Sequence, residues 1–250
     1  MYLILEQTIT VESCDVHKNG VLKLSSLLRY AQQVSGQHSD RLGFTWDALA
    51  EKGLFWAVLR HHCVIHRLPQ AGQTIRLQTW PMPATRSAYP RAVQATDENG
   101  NILFETVSLW VLMNTQTRAM VLPGKSGVDV PGILRGTEVS IPGSLAPGNR
   151  EQTALWSVGD ADLDINGHVN NAKYLDYAEK LIENTNLSPK DLTICYLAEA
   201  LLGQEISLHW GVSEEGVLGV DGVRAKTDVH GETERVFALK LCCSVNQSEL

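Results

Sequence analysis

The sequence predicts an α+β fold of two tandem units, each a long helix wrapped by an antiparallel sheet. Three observations carry that expectation. The chain repeats itself at fixed offsets, each repeat holds one amphipathic helix followed by strand-like segments, and a Pro/Gly-rich stretch separates the two. The repeat is read from G-Q-T-I-R-L-Q-T-W at Gly72 against G-Q-E-I-S-L-H-W at Gly203, and from T-D-E-N-G at Thr96–Gly100 against T-D-V-H-G at Thr227–Gly231. Both pairs share one offset, 203 − 72 = 131 and 231 − 100 = 131. Upstream, Leu27, Leu28, Tyr30 and Ala31 answer Tyr174, Leu175, Tyr177 and Ala178, with 178 − 31 = 147. The difference, 147 − 131 = 16, is an insertion between the helix and the next strand of the first half, assigned to Gly43–Gly53.

Taken in order, Tyr2–Glu12 reads as a strand. Leu22–Asp40 reads as a helix, because Leu24, Leu27, Leu28, Ala31 and Val34 recur at helical spacing. Leu54–His66, Gln73–Met82, Ser87–Thr96 and Ile102–Asn114 are strands, with a hairpin turn at Asp97–Gly100. Ser126–Arg150 carries Pro131, Pro142, Pro147 and several glycines, and reads as a linker crossing the surface. In the second half Thr153–Val158 is a strand, and Asn170–Asn184 is a helix with Ala172, Leu175, Ala178 and Ile182 inward. Leu192–Ala200, Glu205–Val212, Leu218–Thr227 and Thr233–Cys243 are strands, with a turn at Val229–Gly231. The expected boundaries are therefore 1–125, a linker over 126–150, and 151–250.

Composition narrows the function. The 250 residues are 44% hydrophobic and 20% charged, an ordinary globular balance. The net charge of -7 disfavours nucleic acid or an anionic membrane as partner. The longest clean apolar run, Leu54–Leu59, is far short of a membrane span, and the N-terminus shows no leader pattern. Five scattered cysteines without a C-x-x-C pair predict reduced thiols, a cytoplasmic location and no zinc site. No cofactor or metal is expected.

Residues Asp162–Tyr174 read D-L-D-I-N-G-H-V-N-N-A-K-Y. Asp164, Asn166 and His168 set an acid, an amide and an imidazole at i, i+2 and i+4, just ahead of a helix. Amides at a helix start point outward and favour negative charge, which suits a developing oxyanion. The same polar residues serve equally well as helix caps on this ground alone. The repeat sharpens the choice: at the 147 offset Asp164, Asn166 and His168 answer His17, Asn19 and Val21, so the first entrance lacks the acid and the imidazole in register.

This stretch resembles the active-site segment of the fatty acyl–acyl carrier protein (ACP) thioesterases, in their bacterial branch. Ala84–Arg91 (A-T-R-S-A-Y-P-R) and Ser108–Arg118 (S-L-W-V-L-M-N-T-Q-T-R) are similar to the family's N-terminal signatures. The resemblance covers nearly the whole chain. It implies a tandem (double) hotdog fold, an N-terminal unit holding the acyl-chain tunnel, a catalytic C-terminal unit, and hydrolysis of acyl-ACP to free fatty acid and ACP. The family's acid, amide and imidazole fall on Asp164, Asn166 and His168, and its downstream glutamate on Glu199. Many members carry a cysteine after that glutamate. Here the position is Ala200, which argues against a cysteine nucleophile, and Cys195 is expected in the core.

Thioester hydrolysis needs a base for water and donors for the carbonyl oxygen. Glu199, flanked by Leu197, Ala198, Ala200 and Leu201, is the candidate base or nucleophile, with desolvation expected to raise its pKa. His168 orients water or donates to the carbonyl, Asn166 holds the water, and Asp164 fixes Asn166 or backbone amides. The amides of Val169–Asn171 are expected to complete the oxyanion site. Tunnel candidates are Leu54, Trp56, Val58, Leu109 and Val111. The partner implied is ACP carrying a fatty acyl thioester, with Arg86, Arg91, Arg118, Lys173 and Lys180 as candidate docking cations. A homodimer remains open beside a monomer. Alternative readings are an acyl-CoA thioesterase and a non-catalytic acyl-thioester-binding hotdog protein.

Overall fold

The computed structural model describes residues 3–137, 139–148, 150–183, 185, 187–226 and 231–245. They form two units, Met1–Pro142 and Gly143–Leu250, and the boundary in the chain falls inside the stretch expected as a linker.

Unit 1 runs β1 (Leu5–Thr10), α1 (Leu24–Arg41), α2 (Trp46–Ala50), β2 (Leu54–Ile65), β3 (Thr74–Pro81), β4 (Tyr89–Thr96), β5 (Ile102–Asn114) and β6 (Met120–Val121). Its strands lie in the order β1-β3-β4-β5-β2, and the short β6 adds to β5. Neighbouring pairs are antiparallel. Helix α1 forms because its apolar residues share one stripe. Leu24, Leu27, Leu28, Ala31 and Val34 are all 2% exposed or less. Fully burying each leucine contributes about 1.5–3 kcal/mol. The insertion is not a loop alone: α1 is 18 residues long where the second helix has 10, and the remainder holds α2, capped by Thr45 Oγ1, which accepts from Ala48 N at 3.2 Å.

Unit 2 runs β7 (Gln152–Ser157), α3 (Lys173–Ile182), β8 (Leu187–Tyr196), β9 (Glu205–Val212), β10 (Val217–Ala225) and β11 (Thr233–Val245). The order β7-β9-β10-β11-β8 repeats that of unit 1. Leu175 and Ala178 of α3 are buried, and the Tyr174 ring sits 4.8 Å from Phe237, 5.4 Å from Trp156 and 5.7 Å from Tyr196.

Strands β5 and β9 have the expected bounds. Strand β8 does not: it starts at Leu187 and stops at Tyr196 rather than spanning 192–200. Pro189 reads as a breaker, yet it falls opposite Cys243, where the β8–β11 register shifts and a missing N–H is tolerated. The strand ends because Leu197 N and Ala198 N both donate to Val236 O, at 2.8 and 3.1 Å. Tyr2, Asn184 and most of the turn expected at Val229–Gly231 lie outside the described residues.

The expected linker is fastened rather than merely crossing the surface. On unit 1, Val128 and Val139 are buried, Ile133 N donates to Pro81 O at 3.0 Å, and Arg135 stacks 4.6 Å from the Trp80 ring centre. A Cβ on Gly132 would stand 2.4 Å from Pro83 N, so only glycine lets the strap lie this close. On unit 2, Arg235 and Arg150 both pair with the buried Asp221, at 2.6 and 3.6 Å. No helix among the described residues is long and apolar enough to cross a membrane.

Candidate active site

The Asp164–His168 segment is a tight loop closed by a bridge between Leu163 and Val169. Asp164 N donates to His168 O at 2.8 Å, and Gly167 N to Asp164 O at 3.1 Å. Gly167 has φ 78°, the left-handed region that a side chain disfavours. The Asp164 carboxylate braces the loop from within. Its Oδ1 accepts from Asn166 N at 2.8 Å and His168 N at 3.3 Å, and its Oδ2 faces Asn166 Nδ2 at 3.4 Å. Asp164 is thus a positioning group, and the Asn166 carboxamide stands at the exposed rim.

Glu199 reaches this loop from an irregular segment three residues past the end of β8. Val169 N donates to Ala200 O at 2.9 Å, and His168 bridges to Leu201. These two contacts seat the segment beside the imidazole, and His168 Nε2 lies 3.4 Å from Glu199 Oε2. Arg224 of β10 clamps the same segment: its Nη1 donates to Glu199 O at 2.6 Å and also to Gln204 Oε1, while its Nη2 pairs with Glu234 at 2.8 Å. Sequence reasoning missed Arg224, because nothing in its local pattern points to a segment 25 residues upstream.

Asp162 was also missed as a structural post. It is 8% exposed, and its Oδ2 accepts from Gly159 N at 3.0 Å, Trp156 Nε1 at 3.2 Å and Tyr177 Oη at 3.4 Å. The signal was available: at the 147 offset Asp162 and Tyr177 answer Asp15 and Tyr30, which are also hydrogen-bonded. Burial pushes the Tyr174 phenol well up, with Arg224 opposing and Glu199 adding to the rise, so it stays protonated.

Three expectations need correction. The apolar shield around Glu199 is absent: its side chain is 53% exposed, and Leu197 and Leu201 are themselves exposed because the chain has left the sheet. The helix-start amides are largely committed, Val169 N to Ala200 O and Asn170 N to Asp162 O, since they anchor the loop. The carboxamide of Asn166 is, by contrast, exposed. Arg91 is 8% exposed, inside unit 1, and cannot be a docking cation, while Lys173 is paired with Asp176 at 3.2 Å. Ala200 is fully buried and Cys195 is 1% exposed, so neither position offers a nucleophile at this loop. Among the described residues no group of His, Cys, Asp and Glu is arranged to hold a metal ion.

The family model for the acyl-ACP thioesterase N-terminal domain matches residues 3–122, and that for the acyl-ACP thioesterase C-terminal domain matches residues 147–235. A dodecanoyl-[acyl-carrier-protein] hydrolase of Cinnamomum camphora is 25% identical, over 90% of this chain and 67% of its own length. A palmitoyl-acyl carrier protein thioesterase of Gossypium hirsutum is 24% identical, over 70% of this chain and 46% of its own. The chain thus spans between about half and about two thirds of the length of these curated relatives. The solved acyl-ACP thioesterase from Bacteroides thetaiotaomicron VPI-5482 superposes with a TM-score of 0.84, at 23% identity, over 96% of this chain and 98% of that one. The 12:0-ACP thioesterase from Umbellularia californica gives 0.79 at 20% identity, over 98% of each chain. The chain belongs to the acyl-ACP thioesterase family, and its fold is the tandem hotdog.

Proposed function

We propose that this chain hydrolyses the thioester of fatty acyl-ACP, releasing a free fatty acid and ACP, with Asp164, Asn166, His168 and Glu199 as its working residues. One observation carries the reading: an imidazole and a carboxylate 3.4 Å apart, beside an exposed carboxamide, in a loop braced by a second carboxylate. Glu199, open to solvent, takes a proton from water while His168 aligns the carboxylate and shares its charge. The hydroxide adds to the thioester carbonyl, and Asn166 Nδ2–H donates to the oxygen that becomes negative. Collapse breaks the C–S bond. The pantetheine thiolate leaves, takes up a proton, and the acid is released.

In this reading unit 1 houses the acyl chain. Its apolar interior supports that role: Leu54, Val58, Leu109 and Val111 are all buried, and each CH₂ transferred from water contributes about 0.8 kcal/mol. ACP is acidic, and so is this chain overall, so docking relies on local cations such as the exposed Arg86 and Arg118. The test is hydrolysis of matched acyl-ACP and acyl-CoA substrates at low and high salt. Faster turnover of acyl-ACP, with the advantage shrinking as salt rises, is expected. Equal rates without a salt effect would remove ACP as the partner, and no hydrolysis of either would remove the enzyme reading.

A further inference from the structure

Unit 1 holds a cavity of about 90 Å³ between α1, the β2–β5 face and the strap. Its walls are mostly apolar, from Phe44, Trp56, Tyr89, Trp110 and Val130, yet Arg91 also lines it. Arg91 is 8% exposed. Its Nη1 donates to His38 Nδ1 at 3.0 Å and lies 3.4 Å from Thr79 Oγ1. Neither partner is a carboxylate, and among the described residues no carboxylate pairs with Arg91. Burial lowers the guanidinium to about 10, so it is still charged at neutral pH. A guanidinium has five N–H donors, and a buried cation without a counter-charge is unfavourable.

A second donor lines the same cavity. Trp56 Nε1 is buried and has no acceptor among the described residues. Two other polar groups of the wall are occupied: Trp110 Nε1 donates to Ser108 Oγ at 2.7 Å, and Tyr89 Oη meets Ser126 Oγ at 2.8 Å and Val128 O at 3.1 Å. An uncompensated cation and an unanswered indole N–H in one apolar cavity ask for an anion with more than one acceptor oxygen and an apolar stem. We propose that this cavity is a carboxylate-binding subsite, in which Arg91 and Trp56 hold the carboxylate of an aliphatic acid. It stands on unit 1 alone and does not depend on the thioesterase reading. Against a cavity of about 150 Å³ that admits benzene, the volume suits a carboxylate and a short stem. The carboxylate comes either from a free acid or from the far end of a longer, doubly carboxylated chain.

The test uses the intact chain and tryptophan fluorescence, since Trp56 and Trp110 line the cavity. Titration with pentanoate and with pentan-1-ol should show the acid binding about 10-fold or more tightly, in line with a charge-assisted contact. Arg91→Met should bring the acid to the level of the alcohol. If that variant fails to fold, Trp56→Phe, read by Trp110, should weaken the acid several-fold and leave the alcohol unchanged. Equal affinity for acid and alcohol in the wild type, or an acid preference that survives the substitution, would overturn the subsite. Competition then finds the source. Displacement of pentanoate by the CoA monothioester of dodecanedioic acid, but not by dodecanoyl-CoA, assigns the carboxylate to a chain end. Displacement by neither assigns it to a free acid. Equal displacement by both overturns the charge-specific reading.

Discussion

At the first helix entrance His17 N donates to Val21 O at 2.8 Å and Gly20 N to His17 O at 2.8 Å; at the second, Asp164 N donates to His168 O at 2.8 Å and Gly167 N to Asp164 O at 3.1 Å. The match continues outward. The bridges Val16–Leu22 and Val21–Gln70 answer Leu163–Val169 and His168–Leu201. Leu22 N reaches Pro69 O at 2.9 Å as Val169 N reaches Ala200 O at 2.9 Å. Gly20 and Gly167 have φ 81° and 78°. Beneath each loop sits a buried aspartate, Asp15 or Asp162, bonded to Tyr30 or Tyr177. The backbone is one scaffold used twice.

Three of the side-chain differences fall at the candidate site. Where the second entrance has Asp164, His168 and Glu199, the first has His17, Val21 and Leu68, since 164 − 17 and 168 − 21 both give 147 and 199 − 68 gives 131. Asparagine is shared, with a different task. Asn19 Oδ1 accepts from Val21 N at 3.1 Å and braces the first loop, whereas Asp164 takes over bracing in the second. That exchange leaves the Asn166 carboxamide exposed, its Nδ2 donating to Asp164 Oδ2 at 3.4 Å. The contrast separates what both loops share from what the second alone carries.

Four experiments press on this contrast. The largest effect is expected at the pair. Glu199→Gln and His168→Ala should each lower kcat/KM on acyl-ACP by about 10³-fold, and the double variant little further, because two groups acting as a unit are not additive. Losses that multiply would mean the two act separately. Next, Asn166→Ala should reduce kcat by about 10²-fold, as for loss of one oxyanion donor. The matching Asn19→Ala should cost about 1 kcal/mol of stability, a lost loop hydrogen bond, with turnover intact. Steady-state rates and denaturant melts on both variants decide the point.

Acid should distinguish the units themselves. Burial lowers His61 from 6.5 to about 3, and unit 2 has no buried histidine among the described residues. The unfolded chain protonates this group first, so its contribution is whole above pH 6.5 and is lost as pH falls towards 3, at about 1.4 kcal/mol per pH unit. Unit 1 should therefore loosen before unit 2 on acidification. Hydrogen exchange at pH 7 and pH 5 reads this, and His61→Leu should flatten the difference. The smallest effect is expected at the turn glycines. Gly20→Ala and Gly167→Ala should each destabilise by about 1–2 kcal/mol through the left-handed backbone. Only Gly167→Ala should also slow hydrolysis. Equal activity in both variants would detach the loop from catalysis.

The periodic parts of the molecule were legible in the chain. The Leu24, Leu27, Leu28, Ala31, Val34 stripe located α1, and strand-like runs set off by turn residues located β5 and β9. The start of β8 was not, because Pro189 breaks the local pattern and only the register shift opposite Cys243 accommodates it. Asp164, Asn166 and His168 stood out as a spaced polar set. Glu199 came through the family resemblance, since a lone glutamate among apolar residues has no local signature. Arg91 shows the opposite failure: it read as a surface cation and is buried in the unit 1 cavity.

By itself the sequence determined the repeat, which is read at a fixed offset, and the two helix stripes and the polar set before α3, which depend on neighbours within a turn or a pleat. Tertiary structure alone decided that Glu199 sits 3.4 Å from His168, that Arg224 clamps its segment, and that Arg91 is enclosed. Those outcomes depend on strand register and on which segments share a backbone bridge, and contacts between residues tens of positions apart are set by packing, which no local spacing encodes.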